Sequence, residues 1–425
     1  MISVYLGRCL CRRIRLLVKL NDTHEPKALM PIPSPFYSRM APLCQSMDWR
    51  NWAGYAAVSV YEFSHEREYY AIRNAAALID VSPLFKYDIR GPEARRLVDR
   101  IITRSAQTCQ PGRVMYTPWC DEQGKMIDDG TVACLADDHF RITSADPNLR
   151  WFQDCGYGMQ ARVEEVSTAL AALSLQGPKS REILQQIVTG VDFAALKYFR
   201  LTHGRLAGRP LTITRTGYTG DLGYELWFEP AHAEALWDAL MDRGRDYGLM
   251  PVGMVAMDIA RVEAALLLGD VDYVSSHKAL TAARKSSPLE MGLEWTVDFN
   301  KGDFIGRRAL WAEKMRGPKW RFVGLEVDWE ELESLYAAAD LPPQVAGRAS
   351  RVAVPIYRDG RQIGQATSST FSPILKKFIA IGTVESQFAA LGTKVEMEIT
   401  VEFAREHAGA TVVKTPFFDP PRKRS

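Results

Sequence analysis

The stretch Arg215-Thr-Gly-Tyr-Thr-Gly-Asp-Leu-Gly-Tyr-Glu225-Leu-Trp227 constrains this chain more than any other. It follows a strand-like run, residues 210–215, and places Gly217, Gly220 and Gly223 three residues apart. Glycine tolerates positive φ and lets backbone approach a neighbour closely, so the segment reads as a tightly turned hairpin. That hairpin carries Tyr218 and Glu225. A carboxylate accepts paired N–H donors, and an aromatic ring stacks on or donates to a flat ring. The two together suit a flat heteroaromatic ligand with exocyclic NH groups. A glycine-rich hairpin with a solvated acid is the plainer reading of the same residues.

The rest of the chain alternates short strands and helices. Residues 65–77, 92–103, 231–247 and 252–268 read as helices, the last mostly apolar and so packed inward. Residues 84–90, 140–143 and 173–176 read as strands. Residues 115–118 and 130–135 bracket an acidic turn as a hairpin. Breaks at Gly91-Pro92 and Gly177-Pro178 separate these elements, which together suggest an α+β region with antiparallel sheets. Beyond residue 311 the character changes. A strand at 320–327 and a short acidic helix at 329–339 precede strands at 352–357, 361–368, 378–384 and 395–403. Such spacing suggests a small β-barrel.

A length of 425 residues accommodates two or three domains. With 53 basic and 51 acidic residues the net charge is +2, which gives no overall drive toward nucleic acid or membrane. No apolar run reaches the length of about 18 residues that a membrane span needs. Seven cysteines without a CxxC pair point to a reduced, cytoplasmic compartment. The first 20 residues are basic and partly apolar, and no acid precedes Asp22. Residues 1–45 are expected to be a leader, disordered or arising from an early start codon rather than an import signal, with Met30 and Met40 as alternative starts. Arg422-Lys423-Arg424 reads as a frayed polar tail.

The glycine-rich segment resembles the signature of the glycine-cleavage T-protein (aminomethyltransferase) family. So do Asp121-Glu-Gln-Gly-Lys-Met-Ile-Asp128-Asp129, Leu175-Gln-Gly-Pro178, Ala260-Arg-Val-Glu-Ala264 and Ala366-Thr-Ser-Ser-Thr-Phe-Ser-Pro373, in the family's order. With weaker similarity between them they cover roughly residue 49 to the C-terminus. The resemblance implies two sheet-based subdomains over residues 46–315 and a C-terminal barrel over 316–425, arranged like a clover leaf around a central folate cavity. It implies tetrahydrofolate as cofactor, with Tyr116, Tyr198, Tyr218 and Glu225 as its binding residues and Asp129 as the catalytic carboxylate. A carboxylate there would act on a developing cation or on an amine's proton. Adjacent strand residues face opposite ways, so one of Asp128 and Asp129 should face the cavity. Arg261 reads as a structural ion-pair member.

Three positions depart from the family pattern. Asp80-Val-Ser-Pro83-Leu84 stands where the family has Asp-Val-Ser-His-Met. Met257-Asp258 replaces an Arg-Asp, and Gly130-Thr131 replaces Leu-Ile. These bear on the donor side, so folate binding is expected to survive better than glycine-cleavage specificity. The expected function is tetrahydrofolate-dependent one-carbon transfer of the aminomethyltransferase kind, with an aminomethyl donor on a lipoyl carrier protein. The alternatives are demethylation of a small methylated donor, and a non-catalytic folate-binding regulator. No nucleic-acid or membrane partner is expected.

Overall fold

The computed structural model describes residues 30–344 and 347–425. The first sheet has seven strands. In spatial order they are Val188–Thr189, Leu201–Leu206, Arg209–Thr214, Gly223–Phe228, Ala171–Gln176, Ala76–Asp80 and Leu249–Pro251. All neighbours run antiparallel except the last, which lies parallel to Ala76–Asp80. Between Ala76–Asp80 and Ala171–Gln176 the chain leaves to build a second sheet of five antiparallel strands. Their order is Val114–Cys120, Met126–Ala136, His139–Ser144, Phe85–Arg90 and Arg162–Glu165. The third body is a closed six-stranded barrel of Trp320–Val327, Lys377–Glu385, Arg361–Ser372, Val354–Arg358, Lys394–Val401 and Ala404–Val413. The expected α+β plan with a C-terminal barrel is therefore present.

Helix Met254–Glu263 joins the bodies, and every residue in it is buried. It packs on helix Glu66–Asn74, on strand Tyr55–Val60 and on barrel strands Arg361–Ser372 and Lys377–Glu385. Burying side chains such as Val255, Ile259 and Val262 contributes about 1.5–3 kcal/mol each. Gly253 caps its start. A Cβ there would lie 2.4 Å from the Ser59 carbonyl oxygen, so only glycine lets the helix reach the hairpin. The Gly253 N–H is satisfied by Glu68 Oε2 at 2.7 Å.

Several expectations shift. The leader's first 29 residues lie outside the described residues. Its expected end at 45 is too late, because Phe36, Met40 and Cys44 are buried in the core of the first sheet. The helix expected over 65–77 stops at Asn74, since Ala76 and Ala77 are fully buried as a strand. The helix expected over 252–268 ends at Glu263, where Ala265 takes φ 52° and turns the chain. The acidic pair lies inside strand Met126–Ala136 rather than at a turn. The last barrel strand, Ala404–Val413, escaped sequence reading because its first four residues are exposed and break the alternation.

The frayed-tail expectation is also corrected. Arg422 forms a two-pronged pair with Asp221, at 2.7 and 2.8 Å, and donates to the Arg73 carbonyl at 3.1 Å. The Lys423 side chain is only 11% exposed. The tail thus clasps the glycine-rich loop. We expect Arg422→Ala to lower the thermal midpoint by several degrees, because it strips a partner from a fully buried carboxylate. An unchanged midpoint in a melting experiment would make the clasp cosmetic.

Candidate functional site

The glycines of the signature segment have different duties. Gly220 takes φ +72°, which turns the loop. At Gly217 and Gly223 an added Cβ would fall 2.1 Å from Oε1 of Gln176, so glycine there admits the glutamine side chain. Gln176 is fully buried and organises the loop: its Nε2 donates to the Thr216 carbonyl at 3.3 Å, and Oε1 accepts from Thr219 Oγ1 at 2.9 Å. This accounts for the motif Leu175-Gln-Gly-Pro178.

The loop delivers Glu225 onto strand Gly223–Phe228, opposite Thr214. Its Oε2 accepts from Thr216 Oγ1 at 2.8 Å and Thr214 Oγ1 at 3.4 Å. Among the described residues Oε1 takes no hydrogen bond and no cation pairs with this carboxylate. Burial raises its pKa above the ordinary value, and the two threonines oppose that shift. Glu225, Thr214 and Trp227 face Val114, Thr131 and Thr143 of the second sheet across a cleft.

Thr131 and Asp129 share one face of strand Met126–Ala136, about 7 Å apart, and Val114 and Tyr116 share a face of the neighbouring strand. Asp128 and Asp129 divide as alternation requires. Asp128 is buried and occupied: Oδ2 accepts from Asn148 Nδ2 at 2.9 Å and the Asp146 N–H at 3.1 Å, and Oδ1 accepts from the Asp129 N–H at 2.8 Å. Asp129 accepts a short hydrogen bond from the Tyr273 hydroxyl. Burial raises the Asp129 pKa, while Tyr273 and Tyr116 hydrogen bonds work against that rise. Burial also drives the phenols of Tyr116 and Tyr273 well above their ordinary value, with Asp129 adding to both shifts. Gly130 is explained by packing: a Cβ would sit 1.9 Å from the Thr143 carbonyl oxygen.

Tyr218 belongs to the same neighbourhood. Its hydroxyl donates to the Leu267 carbonyl. Its ring packs on the cluster holding Val81, Met257 and Ile259, together with Trp52 and Leu84. Met257, one of the departures from the family pattern, thus lies in the apolar cluster against which Tyr218 packs. Tyr198 stands apart. Its ring lies 4.6 Å from that of Phe199 and 5.9 Å from Lys423 Nζ, and burial pushes its pKa up to about 12. Arg261 is fully buried and pairs with Asp258 at 2.8 Å and Asp272 at 2.6 Å, a structural role.

Sequence reading missed Tyr273 and Trp295. Tyr273 lies in an irregular segment just after Ala260–Ala264, and no period marked it. Trp295 is 63% exposed, stacks on Tyr116 at 6.2 Å and has the Arg104 guanidinium 5.5 Å from its ring. Among the described residues no group of three or more His, Cys, Asp or Glu side chains could hold a metal ion. No helix among them is long and apolar enough to cross a membrane.

The molecule is thus a two-sheet body followed by a closed six-stranded barrel, with Glu225 lining a cleft between the sheets. Residues 38–301 match the GCVT N-terminal domain, and residues 343–419 match the glycine cleavage T-protein C-terminal barrel domain. An aminomethyltransferase of Desulforamulus reducens is 34% identical over 83% of this chain and 89% of its own length. One of Moorella thermoacetica is 35% identical over 84% of this chain and 90% of its own. A trimethylamine-oxide aldolase of Ruegeria pomeroyi is 34% identical over 84% of this chain, but over only 43% of its own length. The crystal structure of a glycine cleavage system aminomethyltransferase T from Bartonella henselae superposes with a TM-score of 0.77. It covers 92% of this chain and 98% of that one at 22% identity, a likeness of fold. The chain belongs to the glycine cleavage T-protein family.

Proposed function

We propose that this protein is a cytoplasmic, tetrahydrofolate-dependent one-carbon transferase of the aminomethyltransferase kind. The observation that carries the reading is Glu225: a partly buried carboxylate in the inter-sheet cleft that, among the described residues, is held by threonine hydroxyls alone and has one oxygen unengaged. Such an acceptor fits the paired amino and ring NH groups of a pterin. Tetrahydrofolate, when bound, supplies the nitrogen nucleophile that takes up the one-carbon unit. Glu225 would orient the pterin, and the rings of Tyr218 and Tyr116 would flank it. Tyr198 would contact the cofactor farther from the acidic pair. Asp129, positioned by Tyr273 and Tyr116, would stabilise positive charge developing at the reacting nitrogen or hold its proton. No protein nucleophile is required, so catalysis rests on positioning and electrostatics.

In the leading reading the donor is an aminomethyl group on a lipoyl carrier protein. The altered positions Pro83 and Met257 favour a second reading, demethylation of a small methylated donor against an apolar wall, and the likeness to the Ruegeria aldolase supports it. Titration with tetrahydrofolate under anaerobic calorimetry tests the common core. Glu225→Ala is expected to weaken binding by about 100-fold, from the loss of charged hydrogen bonds. Equal affinity for wild type and variant would remove Glu225 from the site. A methyl-transfer assay with no carrier protein added then separates the two donors.

A further inference from the structure

Beside the wall of Met257 lies a cluster of guanidinium groups that the reaction described so far does not use. Arg50, on strand Asp48–Trp52, donates through Nε to Ser59 Oγ at 2.9 Å. Arg351 donates through Nε to Asp258 Oδ2 at 2.6 Å, while Asp258 Oδ1 is already taken by Arg261 at 2.8 Å. Arg348 is paired with Asp48 at 2.6 Å, and Arg261 also holds Asp272 at 2.6 Å. Four guanidinium groups, of Arg50, Arg261, Arg348 and Arg351, therefore share three carboxylates, those of Asp48, Asp258 and Asp272.

One cation is in excess, and it is Arg50. Among the described residues neither Arg50 nor Arg351 engages its Nη atoms. Burial lowers the Arg50 pKa and the neighbouring Arg351 charge lowers it further, while Asp258 and Asp48 act against the shift. An open guanidinium fork accepts a carboxylate in two-pronged geometry, which a lysine cannot reproduce. The other half of the recognition adjoins it. Trp52 lies two residues after Arg50 on strand Asp48–Trp52 and so on the same face, and it packs against the cluster that holds Met257, as do Leu84, Ala349 and the ring of Tyr218. An aromatic face next to an apolar wall accommodates a methylated ammonium group.

We infer that Arg50 and Arg351 bind the carboxylate of a short N-methylated amino acid, whose methylated nitrogen lies against Met257, Trp52 and Tyr218. This assignment rests on the demethylation reading. The same forks could also take a carboxylate of the folate glutamate, and the test distinguishes the two sources.

The test titrates the full chain by calorimetry with N,N-dimethylglycine and with trimethylamine, each with and without tetrahydrofolate. Wild type is expected to bind the amino acid at least about tenfold more tightly than the amine. Arg50→Gln should remove most of that preference while tetrahydrofolate affinity stays within about threefold. Arg50→Lys keeps the charge but not the fork and should recover only part of it. Asp258 retains Arg261 and Arg351 in both variants, so the fold is spared. Absence of preference in wild type, or its survival in Arg50→Gln, overturns the inference. Loss of tetrahydrofolate affinity in place of donor preference would assign the forks to the glutamate and equally overturn it. Failure of wild type to bind tetrahydrofolate would sink the folate reading alone, because the donor preference is measured without it.

Discussion

Replacing Asp129 with asparagine is expected to lower turnover by about 100- to 10,000-fold, the range for removing a positioned acid–base or charge-stabilising group. Tetrahydrofolate affinity should change little, because the expected pterin contact is Glu225. The amide is nearly isosteric and still accepts from Tyr273, so the surrounding geometry is retained. The pH profile adds a second readout. Burial holds the Asp129 pKa above the ordinary carboxylate value of about 3.9. The groups facing it are Tyr116, Tyr273, Asp128, Asp146 and Asp272. The proposed role needs the ionised form, so kcat/KM should fall as pH drops through that raised pKa. The acid limb should disappear in Asp129→Asn. Turnover within about fivefold of wild type, with the limb intact, would exclude Asp129 from the chemistry.

The second large effect concerns stability. Glu263→Ala should cost about 3–5 kcal/mol, the usual consequence of stripping one member from a buried ion pair. Glu263 and Arg73 are both fully buried, with Arg73 Nε 2.9 Å from Oε2. Oε1 accepts from the Tyr69 and Ser372 hydroxyls at 2.5 Å each. The network joins helix Glu66–Asn74, helix Met254–Glu263 and barrel strand Arg361–Ser372. Arg73 further donates to the Thr219 carbonyl at 2.9 Å, reaching the signature loop. The alanine variant leaves a guanidinium and two hydroxyls without their acceptor. Urea denaturation decides it: a loss under about 1 kcal/mol would show that water or a rearranged partner replaces the carboxylate.

The same residues show how much was legible beforehand. Gly217, Gly220 and Gly223 announced a turn, and the turn exists. Only Gly220 uses positive φ, however, and the other two make room for a glutamine 41 and 47 residues away in the chain. The acidic pair was visible, and strand alternation implied that one member faces inward. Which one does so depends on Asn148 and the Asp146 backbone claiming Asp128. Arg261 was legible as an ion-pair member because an arginine on an apolar helix needs a counter-charge. Its partner Asp272 lies in an irregular segment, and no period could disclose it.

Local chemistry in this chain thus determined most element types and the hairpin that carries Tyr218 and Glu225, and it announced the acidic pair as part of a turn rather than of the strand it occupies. Those follow from backbone preferences and from periods of 2 and 3.6 residues, which act over a few neighbours. Tertiary structure alone decided that Tyr273 meets Asp129 across 144 residues of chain. It likewise decided that the C-terminal arginine Arg422 closes on Asp221, and that Arg50 comes beside Arg351. Contacts of that kind are chosen by which buried charge lacks a partner once the bodies have packed. The cost of leaving one unpaired exceeds any local preference, and it arises only in the folded state.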